Sequence, residues 1–309
     1  MVKQNYLQRV ENMLYNKYAT GHHYNNGAFF IVRGMPMLGK SIKSQIRISL
    51  FQKEIYITLL ILCFFAAANY FGNVFEYRGR DVVNMYAPYK LITISEYASN
   101  FRLFLIYPLI VVLPTGMSFC IDRDSREINY LSVRFGLKRY YFGKLITAFL
   151  ITFIVFTIPF MFEFGINCIA FPLKASGDES NIPYYDTVEA IKNYAFPALY
   201  VKLPYLHCII GIFLWGISAG IWGAFAVAVS LYIPKFRLFV FIPVYLIHTI
   251  LGRIDDTVFN SLGFEILPRD YMVIHNGINK NYPLYLMFMA LLAAISIIIT
   301  WHKSRRDMI

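Results

Sequence analysis

The chain of 309 residues is 58% hydrophobic and 18% aromatic, with only 15% of its residues charged. A soluble domain carries nearer a quarter of its residues as charges, so a water-surrounded globular protein is excluded. The formal net charge of +11 would suit a nucleic-acid partner, but the excess lies beside long apolar runs. Anionic lipid headgroups reward basic residues there by about 1 kcal/mol each, which makes membrane lipid, and no nucleic acid, the expected partner.

Residues 1–34 are rich in Tyr, Asn and His and hold no apolar stretch of signal-peptide type. They read as a cytoplasmic N-terminal segment, with the first apolar run acting as its own insertion signal. Gly34 to Ser41 (GMPMLGKS) matches the phosphate-loop pattern GxxxxGK[ST]. A nucleotide site also needs an α/β sheet around that loop, and only 13 residues separate Ser41 from the first apolar run at Ile55. The match is therefore set aside. Residues 35–54 instead read as an amphipathic helix in the membrane interface, with Ile42, Ile46, Leu50 and Phe51 on one face and Lys43, Gln45, Arg47 and Lys53 on others.

A membrane domain is expected over 55–303, with spans at about 55–72, 103–121, 145–172, 205–233, 238–252 and 284–301, and a cytoplasmic tail at 304–309. A helix needs roughly 20 residues to cross a hydrocarbon core of about 30 Å. The fifth run, 15 residues between Arg237 and Arg253, is the short one, and a re-entrant hairpin is its alternative. Charge placement favours crossing. With six spans, 19 of the 29 Lys and Arg residues fall on the side of the N-terminus and 10 on the other, as the positive-inside rule asks. The expected fold class is an all-α integral membrane protein with six transmembrane helices and an N-terminal interfacial helix. It would be multi-pass in the cell (plasma) membrane, with both termini cytoplasmic.

Polar groups inside apolar runs are functional suspects. Glu163 and Asn167 lie in the third run and His248 in the fifth. Glu163 is placed near the outer edge of its span, where its cost is small and interhelical hydrogen bonding outweighs proton coupling as a role. His207 and His248 read as packed histidines. Gly216 and Gly220 have the small-residue spacing that lets helices approach closely, either within one subunit or between two. Pro108, Pro114, Pro159 and Pro243 predict kinks. Cys63, Cys120, Cys168 and Cys208 have no paired spacing and read as small core residues. No HExxH or GxSxG motif points to a hydrolase, and no metal site or catalytic residue is expected.

The connection Asp122 to Lys144 (DRDSREINYLSVRFGLKRYYFGK) is too charged to enter the membrane and too short to be a domain. Its pattern predicts a helix from Ser125 to Arg134 stopped by Gly136. Ile128, Leu131 and Phe135 could face one way as a knob for a partner's groove, with Arg126, Asn129 and Arg134 elsewhere. A solvated positive loop is the alternative.

This loop resembles the one between spans two and three of ABC-2 type transporter permeases, the membrane subunits of type V ABC exporters. The shared features are an acidic residue at Glu127, a short apolar helix with Tyr130 and Leu131, a turn at Gly136, a basic residue at Arg139 and the pair Gly143 and Lys144. The interfacial helix, the six spans and the long segment between spans five and six are also similar, so the likeness covers about residues 40–303. Residues 1–34 have no counterpart in that plan.

The resemblance implies a dimer of two permease halves and an ABC ATP-binding subunit docking on Arg126, Glu127, Ile128, Tyr130, Leu131 and Arg134. No cofactor would be bound directly, since ATP and magnesium sit on the partner. The implied activity is export of a hydrophobic or amphipathic substrate, such as an antimicrobial peptide, antibiotic or lipid-like molecule, with re-entrant helices in 254–282 capping the path. The alternatives are an ion-gradient-driven transporter or channel, and a non-transporting immunity or scaffold protein.

Overall fold

The computed structural model describes residues 30–82, 85–95, 101–174, 188–233, 237–254, 271, 273–275 and 280–307. The chain divides into Met1–Met37 and Leu38–Ile309; of the first unit only 30–37, the opening of a helix, is described. The helices are α1 (Phe30–Ser49), α2 (Lys53–Tyr77), α3 (Phe101–Ile110), α4 (Ser118–Asp124), α5 (Glu127–Phe135), α6 (Leu137–Ala170), α7 (Val188–Lys192), α8 (Pro197–Lys202), α9 (Pro204–Ser230), α10 (Phe241–Ile254) and α11 (Tyr282–Arg306). Short 3-10 turns lie at Pro88–Lys90 and Arg237–Val240, and no strand occurs among the described residues. Residues 34–41 fall inside α1, a helix and not a phosphate-cradling loop.

Among the described residues five helices are long and apolar enough to cross a membrane: Lys53–Tyr77, Leu137–Ala170, Pro204–Ser230, Arg237–Ile254 and Tyr282–Arg306. The protein is all-α over its described residues, with the character of a multi-pass membrane protein. The fifth apolar run, short by sequence, is helical over 18 residues once its opening 3-10 turn is included.

The second run is the one that breaks. Its helix α3 stops at Ile110, residues 111–117 form successive turns, and helix resumes in α4 at Ser118. Pro114 lies in that stretch and brings no backbone N–H to a helical ladder. The turns close through Leu113 N donating to the Ile110 carbonyl at 3.2 Å and Gly116 N to the Val112 carbonyl at 2.8 Å. Such backbone is tolerated at membrane depth only where protein covers it, and Val111 and Val112 are fully buried.

On α2 and α11, polar residues enter the buried face and several large apolar ones point outward. The buried stripe of α2 includes Thr58, Asn69 and Asn73, while Leu60, Phe64, Phe71 and Phe75 are exposed. Helix α11 buries Ser296, Thr300 and Ser304 and exposes Leu286, Leu291 and Ile298. Helices in lipid associate through small and polar residues and turn large apolar ones outward. The central pair is α6 with α9. A Cβ on Gly216, Gly220 or Gly223 would overlap Thr157, Phe149 or Thr152 respectively, so the glycine face of α9 is a contact within this chain.

Candidate functional site

Three places concentrate polar chemistry: the end of the bundle where α6 begins, the end where α6 finishes, and a cavity beside α9.

At the first end, Asp122 and Lys144 form an ion pair of 2.7 Å with side chains 1% and 3% exposed. The Tyr140 hydroxyl donates to the same Asp122 oxygen at 2.6 Å. This clamp ties the end of α4 to the second turn of α6, so the intervening α5 is held at both ends. The chain enters α5 through Arg126 in the left-handed region (φ 61°) and leaves it through Gly136 (φ 82°). The second conformation suits glycine, which has no Cβ to clash there. Arg237 donates to an Asp124 oxygen at 2.7 and 3.1 Å, and Arg123 to the Ile233 carbonyl at 3.0 Å. Ile233, just after α9, and Arg237 are thereby fixed to the same end.

Helix α1 packs here as well, with a polar face. Gln45 donates to the Tyr140 carbonyl at 3.0 Å and Ser41 to the Arg139 carbonyl at 3.3 Å. A Cβ on Gly143 would lie 2.7 Å from Ser41 Oγ and 2.9 Å from Gln45 Nε2, so glycine is what lets α1 come this close to α6. Ser41, Gln45 and Ser49 are buried, Ile42, Ile46 and Ile48 are half-buried, with Ile48 packed on the Phe119 and Tyr140 cluster, and Leu50 and Phe51, just past the helix, are exposed.

The loop residues divide by face. Leu131 and Phe135 are buried and Ile128 half-buried, all packed on Phe119, Tyr140, Tyr141 and Leu231. The expectation of an outward knob made by Ile128, Leu131 and Phe135 is therefore corrected: these apolar groups find their partners inside the protein. Arg126, Asn129, Tyr130, Val133 and Arg134 form the exposed face, with Tyr130 61% and Val133 88% exposed. Glu127 is half-buried. Burial, and then the nearby Asp122 charge, push its carboxyl above the ordinary value, with Lys144 pulling the other way.

At the opposite end, Glu163 Oε1 accepts from Asn69 Nδ2 at 2.7 Å, Thr93 N at 2.9 Å and Thr93 Oγ1 at 2.8 Å. The Leu91 carbonyl accepts from Asn69, Asn73 and Asn167 at 2.8, 2.9 and 3.2 Å. Residues 85–95 are thus drawn over the end of α6, and Glu163 is 2% and Asn167 0% exposed. The low cost expected for Glu163 at a span edge is corrected by this cover, which seals the carboxyl from solvent and lipid alike.

The cavity, about 560 Å³, lies between α9 and α11 near this same end and is lined in part by His207, Trp215, Ser218, Tyr271, Lys280 and Tyr285. That volume is in the range of small-molecule sites, roughly 300–1,000 Å³. Tyr271 stacks on Tyr285 with centroids 4.4 Å apart, and Ser218 and Tyr285 hydroxyls are 3.0 Å apart. Ile274 N donates to the Ile94 carbonyl at 3.0 Å, and Ile274 and His275 are buried, so this part of 254–282 enters the bundle; residues 255–270 lie outside the described ones. Burial holds His275 well below its ordinary pKa, with the nearby His207, Lys90 and Lys280 adding to the effect. His248 Nδ1 is 3.0 Å from the Val244 carbonyl of its own helix, and its ring lies 4.2 Å from that of Trp222. Among the described residues no group of three or more His, Cys, Asp or Glu is placed to hold a metal ion.

No protein-family model, curated protein or solved structure matches the chain.

Sequence reasoning named Glu127 and Tyr130 but missed the clamp beneath them. Its signal was an Asp and a Lys closing two adjacent apolar runs. It also missed Asn69 and Asn73, two amides one helical turn apart at the end of the first run.

Proposed function

We propose that the chain is the membrane-spanning permease subunit of an ATP-driven exporter for a hydrophobic or amphipathic substrate. Six segments cross the cell membrane, with 101–124 as a broken second span and both termini cytoplasmic. A separate ATP-binding subunit, holding ATP and magnesium, docks on the exposed face of α5, and a second permease half completes the pathway. The likeness to ABC-2 permeases motivates the reading. The observation that carries it is the held α5, which presents Arg126, Asn129, Tyr130, Val133 and Arg134 outward while its other face and both ends are fastened to α6.

A partner pushing on such a helix would move α6 and, through the glycine face, α9. The contacts of chain ends also favour six crossings. The Tyr141 hydroxyl donates to Asp307 and the Tyr232 hydroxyl meets His302 at 2.8 Å, so α11 finishes where α6 begins, and α1 docks there too. Substrate would use the cavity beside α9, whose lining is mostly apolar.

The test is purification of the tagged chain from its native membranes with Tyr130→Ala/Arg134→Ala and Glu127→Ala variants alongside. A stoichiometric ATPase with the wild type, reduced about tenfold or more in the double variant, is expected. Absence of any ATPase from the wild type would sink the proposal.

A gradient-driven carrier is the second reading, favoured by the broken second span and the buried Glu163, since discontinuous helices mark ion and substrate paths in such carriers. It requires uptake or efflux in proteoliposomes without ATP that collapses when the ion gradient is dissipated.

A further inference from the structure

The hydrogen bonds around Glu163 leave a specific shortfall. Its Oε1 accepts three donors, while its other oxygen, Oε2, accepts none, and neither does Asn167 Oδ1; all of these atoms are buried. Residues 163 and 167 stand one turn apart on the same face of α6, where side chains are neighbours. Two buried acceptors lacking a donor therefore stand one turn apart on one face of α6, and buried polar groups in a membrane bundle are almost always paired.

A single hydrogen closes both vacancies. We propose that Glu163 is a proton-binding site: in the folded protein at neutral pH its Oε2 carries a proton and donates it to Asn167 Oδ1. Oε1 remains the acceptor for Asn69 and Thr93. Turning the Asn167 amide over is no substitute, because it would set Oδ1 against the Leu91 carbonyl that Nδ2 now meets at 3.2 Å.

The surroundings supply no counter-charge for an ionised carboxylate. Helix α2 presents Asn69 and Asn73, and the covering segment presents Thr93. Lys90 in that segment has its ammonium 5.3 Å from the centroid of the Tyr86 ring. From α9 come the Cys208 thiol and Tyr205, whose ring packs on Phe164. Helix α11 meets this face of the bundle near Leu145 and Phe149, at the far end of α6. Glu163 makes no ion pair among the described residues.

The bound proton has a local consequence. With it, Glu163 is tied to Asn167 along α6; without it, two buried acceptors one turn apart are left with no hydrogen between them, while Oε1 keeps its bonds from Asn69 and Thr93. The Glu163–Asn167 bond is made in acid and lost in base. The proton site goes beyond the export reading and needs no ATPase.

The test is an infrared difference spectrum of the purified full-length chain in lipid nanodiscs at pH 7, wild type minus Glu163→Gln, in H₂O and in D₂O. The Gln amide donates where the acid O–H would, so this variant is expected to fold with unchanged thermal stability. A protonated-carboxyl C=O band that shifts in D₂O, present in the wild type and absent from E163Q, is the expected result. Asn167→Leu should move that band to higher frequency by removing the acceptor, and it serves alone if E163Q does not fold. Carboxylate bands assigned to Glu163 at pH 7 would overturn the proposal, as would a sodium- or potassium-dependent rise in stability with no acid band, which would make the pocket a cation site.

Discussion

Lys144 keeps its side chain almost wholly buried, 3% exposed, and what its ammonium does there depends on Asp122. Taking two charges out of water costs several kcal/mol per ion, repaid only when geometry and added hydrogen bonds are good; here the Tyr140 hydroxyl is the added bond. Lys144→Met strands the carboxylate, and a loss of about 3–5 kcal/mol is expected. Thermal unfolding in detergent should show the Asp122→Asn/Lys144→Met double variant recovering part of that loss. Glu127 predicts the opposite sign. Its carboxyl binds a proton more tightly in the folded chain than in the unfolded one, so its contribution is most favourable in acid. That contribution declines as pH rises from about 4.5, its ordinary value, through the raised one. Glu127→Gln should flatten this slope and leave the protein no less stable at pH 7, as melting curves across that window would show. Reduced ATPase capture by the same variant would then report docking and not damage.

Among the elements, α1 shows why a helix can be legible while its orientation is not. Periodicity places an amphipathic segment in the membrane interface, with Gln45 on a face apart from the isoleucines. In the fold Ser41, Gln45 and Ser49 turn to the protein, Ile42, Ile46 and Ile48 are half-buried, and Lys43 and Arg47 are exposed. Asn69 and Asn73, at the end of the first apolar run, likewise join its buried contact face with Leu62 and Ala66. Gly216 and Gly220 were legible as a packing face, because only small residues permit such approach; which partner they met needed coordinates. Gly220→Leu should force α9 from α6 and cost about 1–3 kcal/mol. Gly39→Ala, in α1 with nothing within 4 Å of the added atom, should be neutral or stabilising by about 0.5–1 kcal/mol. Comparing the two melts separates a packing glycine from an incidental one. The break at 111–117 was announced by prolines only as a kink, since whether a proline bends or ends a helix depends on the neighbours that cover its freed carbonyls.

At the scale of the molecule, α6 is the member that joins the two ends. Its 34 residues at 1.5 Å each make it about 51 Å long, well beyond a hydrocarbon core of about 30 Å. Its first turns, with Tyr140, Gly143 and Lys144, therefore stand in or beyond the interface together with α1 and α5. The basic residues gathered there are what the positive-inside rule reads, so the proposed function has this end in the cytoplasm and the Glu163 end outside. Single cysteines in a background without the four native ones test the assignment. Val133→Cys, on the exposed face of α5, should react with a membrane-impermeant maleimide only in inverted vesicles, and Val82→Cys, beyond the end of α2 and 58% exposed, only in intact cells. Asp307→Cys should follow Val133→Cys if the number of crossings between them is even, as six spans require. Labelling of positions 133 and 307 from opposite sides would remove one crossing, and with it the topology on which a cytoplasmic ATPase docking at α5 depends.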